Sequence, residues 1–141
     1  MINAEKYGVH VTATNREFLN IFKTLNETRS VKGVAYAKAV IINTGVIKAH
    51  LDPIEAEAIP SEEFMKLSIE AQRFIEAEDA EGLRKFEEEN IEVINKRKEQ
   101  LESVNAKLDS ASTLELKTIN EKLLPEDLSA EQLEALIKIV Q

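Results

Sequence analysis

Residues 34–51 read VAYAKAVIINTGVIKAHL, the most hydrophobic element of the chain. Val34, Ala35, Tyr36, Ala37, Ala39, Val40, Ile41, Ile42, Val46, Ile47, Ala49 and Leu51 fall around nearly the whole circumference of a helix, and a helix that is apolar on every side must be covered on every side. Either the other helices of the chain supply that cover or further copies do. The segment therefore predicts a homo-oligomer, most simply a dimer or a dimer of dimers with closed symmetry. Asp52-Pro53 follows the run, and the proline marks its expected end.

Toward the N-terminus, Arg29-Ser30-Val31-Lys32-Gly33 reads as a corner, with Gly33 suited to the left-handed conformation that such corners use. Before it, a helix is expected over 15–27, capped by Thr14 or Asn15 and striped by Phe18, Leu19, Phe22 and Leu25. Residues 7–13 alternate apolar and polar as a short edge strand would. Toward the C-terminus, Pro60-Ser61-Glu62-Glu63 starts a helix over 61–78 striped by Phe64, Leu67, Ala71, Phe74 and Ile75. A second helix over 81–108 carries Leu83, Phe86, Val93, Ile94, Leu101, Val104 and Leu108, and the two fit a hairpin turning at 79–82. Asn90 and Arg97 interrupt its apolar seam as register-setting or snorkelling residues. Residues 113–118 alternate as a second strand, Leu123-Leu124-Pro125 is a loop, and Ser129 with Gln132 has capping-box spacing. Leu128 and Leu133 are placed as a staple around a last helix carrying Leu136, Ile137 and Val140. The expected fold is mainly α, a helical bundle with a long helical hairpin and a minor two-stranded β element, in a single domain over 1–141.

Composition bounds the function. The chain has 141 residues, 43% apolar and 31% charged, with no Cys, so disulfides and thiolate chemistry are excluded and a reducing cytoplasm is expected. Its longest unbroken apolar run, residues 39–42, is far short of the ~20 residues that span a bilayer. The formal charge is −8, divided as +4 over residues 1–50 and −12 over residues 51–141. Such a chain repels phosphate over most of its surface and is not a non-specific nucleic-acid binder, although a small anion fits the basic third. No phosphate loop, HExxH, nucleophile elbow or EF-hand spacing is present, and His10 and His50 lie in different elements with no triad around them. No catalytic residue, metal ligand set or cofactor site is assigned, and catalysis is not the expected activity.

The sharpest positive signal is a polar stripe on the apolar helix. Tyr36, Asn43 and His50 recur every seven residues, and polar groups on a buried helix must find internal partners, partners on a symmetry mate, or a ligand. Arg29 and Lys32 at the start of the same helix add the positive charge a phosphate needs. The candidate ligand-binding set is Arg29, Lys32, Tyr36, Asn43 and His50.

Four segments carry a resemblance. Thr14-Asn15-Arg16-Glu17 opens one helix, Lys32-Gly33-Val34-Ala35-Tyr36-Ala37 leads toward Asn43, and Pro60-Ser61-Glu62-Glu63-Phe64 opens another. The closing segment is Leu124-Pro125-Glu126-Asp127-Leu128-Ser129-Ala130-Glu131-Gln132-Leu133. In this order they resemble a loose group of small helical proteins encoded by bacteriophages and prophages, which has no established activity or catalytic residue to carry over. Such patterns often place a basic residue close to Asn43, where this chain has Ile41, Ile42 and Thr44. The resemblance implies a phage accessory protein in the host cytoplasm, of the kind that assists morphogenesis or antagonises host defence. The expected function is a non-enzymatic counter-defence sponge, which sequesters a small anionic, nucleotide-derived immune signal in an oligomer. The rivals are a protein-binding antagonist or tail-assembly chaperone with a host protein partner, and an enzyme acting on the signal.

Overall fold

A computed structural model describes residues 8–141. Tyr7, the expected first residue of the N-terminal strand, lies outside the described residues. In chain order the elements are β1 (Gly8–Thr14), α1 (Asn15–Glu27), α2 (Val34–Ala58), α3 (Glu62–Glu76), α4 (Ala80–Glu89), α5 (Ile91–Asp109), β2 (Ala111–Lys117) and α6 (Ala130–Leu136). Short 3-10 turns lie at Glu121–Leu123 and Ile137–Ile139. The fold is mainly α with a minor two-stranded sheet. Two compact units divide the chain: residues 1–53 with 107–141, hereafter the sheet unit, and residues 54–106, the helical unit.

In the sheet unit β1 and β2 pair antiparallel, with Gly8 opposite Lys117 and Thr14 opposite Ala111. Alternation divides the two faces. Val11, Ala13 and Leu116 are buried, while His10, Thr12, Thr113 and Glu115 are exposed, and the Thr12 and Thr113 hydroxyls meet at 2.8 Å. Thr14 ends the strand and caps α1 in one step. Its hydroxyl accepts the Glu17 N–H at 3.1 Å and the Glu17 carboxylate accepts the Thr14 N–H at 3.1 Å, a capping box whose hydroxyl is worth about 1 kcal/mol. Phe18, Ile21 and Leu25 carry the buried stripe of α1. At the corner that follows, Gly33 takes φ +126°, a backbone region closed to side-chain-bearing residues.

The helix α2 departs from expectation twice. It runs past Leu51 to Ala58 with Pro53 inside it. Proline removes one intrahelical N–H, the donor for the Ala49 carbonyl, at a place where both residues are exposed. The helix is also covered on one side only. Tyr36, Ala39, Val40, Asn43, Thr44, Ile47 and Leu51 are buried, whereas Val34 is 75% exposed, Ile41 63% and Ile42 45%.

The C-terminal segment closes the sheet unit's core. The Ser129–Gln132 capping box forms as the spacing predicts, and Leu136 and Ile139 are fully buried. Beyond Leu136 the chain tightens into a 3-10 turn instead of continuing as α-helix. Ile119 N–H then donates to Ile139 C=O at 2.7 Å and Gln141 N–H to Ile119 C=O at 2.8 Å, a short parallel bridge that no periodicity announces.

Within the helical unit α3 starts at its Ser61 cap and ends in a Schellman turn: Asp79 N–H donates to Phe74 C=O and Glu78 N–H to Ile75 C=O. The left-handed residue of that turn is Glu78, at φ 54°. Asp79 then caps α4 by accepting the Gly82 N–H at 2.9 Å. Gly82 has to be bare, since a Cβ there would run into the Asp79 carboxylate and sit 2.9 Å from the Phe74 ring. Phe74 and Phe86 meet across the hairpin with centroids 5.4 Å apart. The expected continuous helix over 81–108 is broken at Asn90, whose side-chain amide donates to the Phe86 carbonyl at 2.8 Å and ends α4 from within.

Candidate functional site

The five expected ligand residues are divided between surface and core. Arg29 and Lys32 are exposed on the α1–α2 corner, where the Arg29 guanidinium donates twice, at 3.2 and 2.9 Å, to the Asn26 side-chain oxygen. The other three face inward, and each has a partner in the chain. Tyr36 is 2% exposed, and its hydroxyl meets Thr28 Oγ1 at 2.7 Å, Thr28 in turn donating to the Thr24 carbonyl. Asn43 is fully buried. Its amide donates to the Lys117 carbonyl at 2.9 Å and its oxygen accepts the Lys117 N–H at 2.6 Å, so one side chain stands in for a missing strand beside β2.

His50 ends a longer chain of bonds. The Asn15 amide donates to the Lys107 carbonyl at 2.8 Å, at the end of α5, which leaves Asn15 Oδ1 as an acceptor for His50 Nε2–H, also at 2.8 Å. The bond makes Nε2 the donor nitrogen of the ring. Phe18 meets the His50 ring edge-on, centroids 6.3 Å apart. Tyr36, Asn43 and His50 thus join α2 to the α1–α2 corner, to β2 and to the junction of α1 with α5, at three separate places.

A groove of about 660 Å³ lies between α1 and α6, and none of the five residues lines it. Glu17, Lys23, Glu27, Glu131, Glu134 and Lys138 stand around it. Lys138 Nζ pairs with Glu17 Oε2 at 3.3 Å and Gln132 Nε2 donates to Glu27 Oε2 at 2.8 Å. The Thr14 N–H first, and Lys138 second, hold the Glu17 carboxyl below its ordinary pKa.

The helical unit offers a different kind of surface. Of the sixteen buried apolar residues among the described ones, only Leu67 and Val104 belong to it. It leaves Ile59, Met65, Ile69, Ile75, Ile91 and Leu101 exposed, Ile59 by 63% and Ile69 by 62%. Met65, Ile69, Gln72 and Glu76 share the face of α3 opposite Leu67, and a shallow groove of about 420 Å³ lies beside Ile69 and Arg73. Charge is as lopsided. Residues 54–106 carry seven Lys/Arg against fifteen Asp/Glu, while the sheet unit's stretches carry eleven of each, so the net −8 resides wholly in the helical unit.

The apparent oddity of Arg97 on this unit's seam resolves as helix capping. Its guanidinium donates to the Ala58 carbonyl and to Gln100 Oε1, both at 2.8 Å, and lies 5.6 Å from the Phe64 ring centroid. Gln100 donates to the Glu57 and Ile59 carbonyls. The two side chains satisfy the open carbonyl end of α2, where a positive charge also meets the negative end of the helix dipole.

Among the described residues no helix is long and apolar enough to cross a membrane, and no group of three or more His, Asp or Glu is placed to hold a metal. No family model, curated protein or solved structure matches the chain. The exposed face of α3 is absent from the sequence expectations, which follow the buried stripe of Leu67. Its signal was available: Met65 and Ile69 are apolar, four apart, and outside the stripe that explains Leu67.

Proposed function

We propose that this chain is a non-enzymatic binding protein whose helical unit holds a basic protein segment with apolar anchors. One observation carries the reading: residues 54–106 combine the whole net charge of −8 with exposed Ile59, Met65, Ile69, Ile75, Ile91 and Leu101. An acidic field steers a basic partner, and the apolar side chains that the fold leaves partly exposed supply the contact. A phage accessory protein acting on a host or assembly protein in the cytoplasm fits this chemistry. The nucleotide-sponge reading is less well supported, since Tyr36, Asn43 and His50 are engaged within the chain and leave Arg29 and Lys32 alone to receive an anion.

Calorimetric titration with a synthetic amphipathic Lys/Leu helical peptide tests the reading. Binding is expected, weakening as salt rises. Ile69→Glu should abolish it although it makes the unit more acidic. Unchanged or tighter binding by Ile69→Glu would reduce the effect to bulk charge and overturn the docking surface. Release of an intact nucleotide from the denatured native protein would favour the sponge instead.

A further inference from the structure

On α2 the exposed side chains form one strip centred on Gly45. At about 100° per residue, Lys38 and Asp52, seven residues before and after, fall within about 20° of Gly45, and Ile41, Ile42, Lys48 and Ala49 flank that line. All seven are exposed, and open space surrounds the position a Gly45 Cβ would take. The sequence of this strip has a symmetry of its own. It begins with a cation, narrows to glycine at its midpoint and ends with an anion, at equal distances of about 10 Å.

We infer that this strip pairs with the same strip of a second copy, antiparallel, with the twofold axis beside Gly45. In that register Lys38 meets the partner's Asp52 and Asp52 meets the partner's Lys38. Ile41 and Ile42 lie against the partner's Ala49 and the methylene stem of the partner's Lys48. Within the chain both Asp52 oxygens accept from Lys48 Nζ, at 3.1 and 3.2 Å, and the carboxylate stays about half exposed, so each oxygen keeps a lone pair for a second donor. The bare midpoint lets the helix axes approach, and antiparallel helices oppose their dipoles favourably. A parallel pairing would set Lys38 against Lys38 and Asp52 against Asp52, so the charges select one orientation. The pairing explains why a helix face this apolar is left outside the sheet unit's core.

Sedimentation of the full chain is expected to give a dimer at high micromolar concentration. Ile42→Asp should give a folded monomer, since Ile42 is already 45% exposed. Lys38→Asp and Asp52→Lys should each weaken self-association about tenfold or more, and mixing the two variants should restore a dimer of one with the other, because both cross-pairs become complementary. The chain has no cysteine, so single substitutions report geometry directly. Gly45→Cys should crosslink under mild oxidation and Lys38→Cys should not. A wild-type monomer, a mixture that fails to associate, or crosslinking by Lys38→Cys as fast as by Gly45→Cys would each overturn the inference.

Discussion

The sheet unit and the helical unit are built on opposite principles. The sheet unit holds fourteen of the sixteen buried apolar residues among the described ones and has no net charge across its stretches. Its polar exceptions, Asn15, Thr24, Thr28, Asn43 and Thr44, are buried, and no buried side-chain nitrogen or oxygen among the described residues lacks a hydrogen bond. The helical unit has two buried apolar residues and a charge of −8, and its contacts include caps, a turn, the Phe74–Phe86 pair and the Arg97 guanidinium over Phe64. Local geometry thus does for the helical unit what burial does for the sheet unit. The proposed docking face lies on the helical unit because its exposed apolar side chains coincide there with the net charge.

The sharpest way to break that contrast is to truncate one apolar side chain in each unit. Phe18 is fully buried, and Phe18→Ala should cost about 3–5 kcal/mol in denaturant unfolding. Ile69→Ala should stay within about 0.5 kcal/mol of wild type, because its side chain is already largely in water. Equal losses at the two sites would mean that the helical unit has a core of its own.

Next in size is Arg97→Ala. It removes a charged donor from the Ala58 carbonyl and the cation from the Phe64 ring, and should destabilise the helical unit by about 1–2 kcal/mol. Hydrogen exchange at the last turn of α2 should accelerate, while exchange in β1 and β2 should not. Glu78→Gly should act in the other direction, stabilising the unit by about 0.5–1 kcal/mol, because glycine takes the left-handed turn position without strain. A loss on Glu78→Gly would show that the Glu78 side chain contributes something outweighing its backbone strain.

This division also explains what could be read from the sequence. Elements defined by their own residues are legible: a cap at Thr14 or Asn15, the Ser129 capping box, the Gly33 corner, the α3–α4 hairpin and the two alternating strands all depend on local spacing. The errors came where an isolated residue is answered by something distant. Pro53 looked like a stop because its missing hydrogen bond is visible in sequence, while the solvent exposure that makes the loss tolerable is not. Asn43 and Arg97 looked anomalous because their partners, Lys117 and Ala58, are 74 and 39 residues away. The stripe of Tyr36, Asn43 and His50 reads as polar groups on a buried helix, and the structure buries Tyr36 and Asn43 and half-buries His50. Periodicity could not say that three separate parts of the chain would meet it.

The smallest expected effect concerns acid. Glu17 joins β1, α1 and the C-terminal turn through Thr14 and Lys138, and its carboxyl titrates below the ordinary glutamate value of 4.5, chiefly because the Thr14 N–H donates to its charged form. A carboxyl with a lower pKa folded than unfolded stabilises the fold above the unfolded value, and that contribution fades as pH falls through the folded value. Wild-type stability should therefore decline below about pH 4.5 more steeply than that of Glu17→Gln, whose amide keeps an acceptor for Thr14 but has no charge to lose. At neutral pH wild type should be the more stable by a small margin, small because Glu17 and Lys138 are both about half exposed and water screens their pairing, and the margin should close at pH 3.5. Urea midpoints measured at pH 7 and at pH 3.5 give the comparison. Parallel declines in the two proteins would mean that Glu17 titrates alike in the folded and unfolded chain.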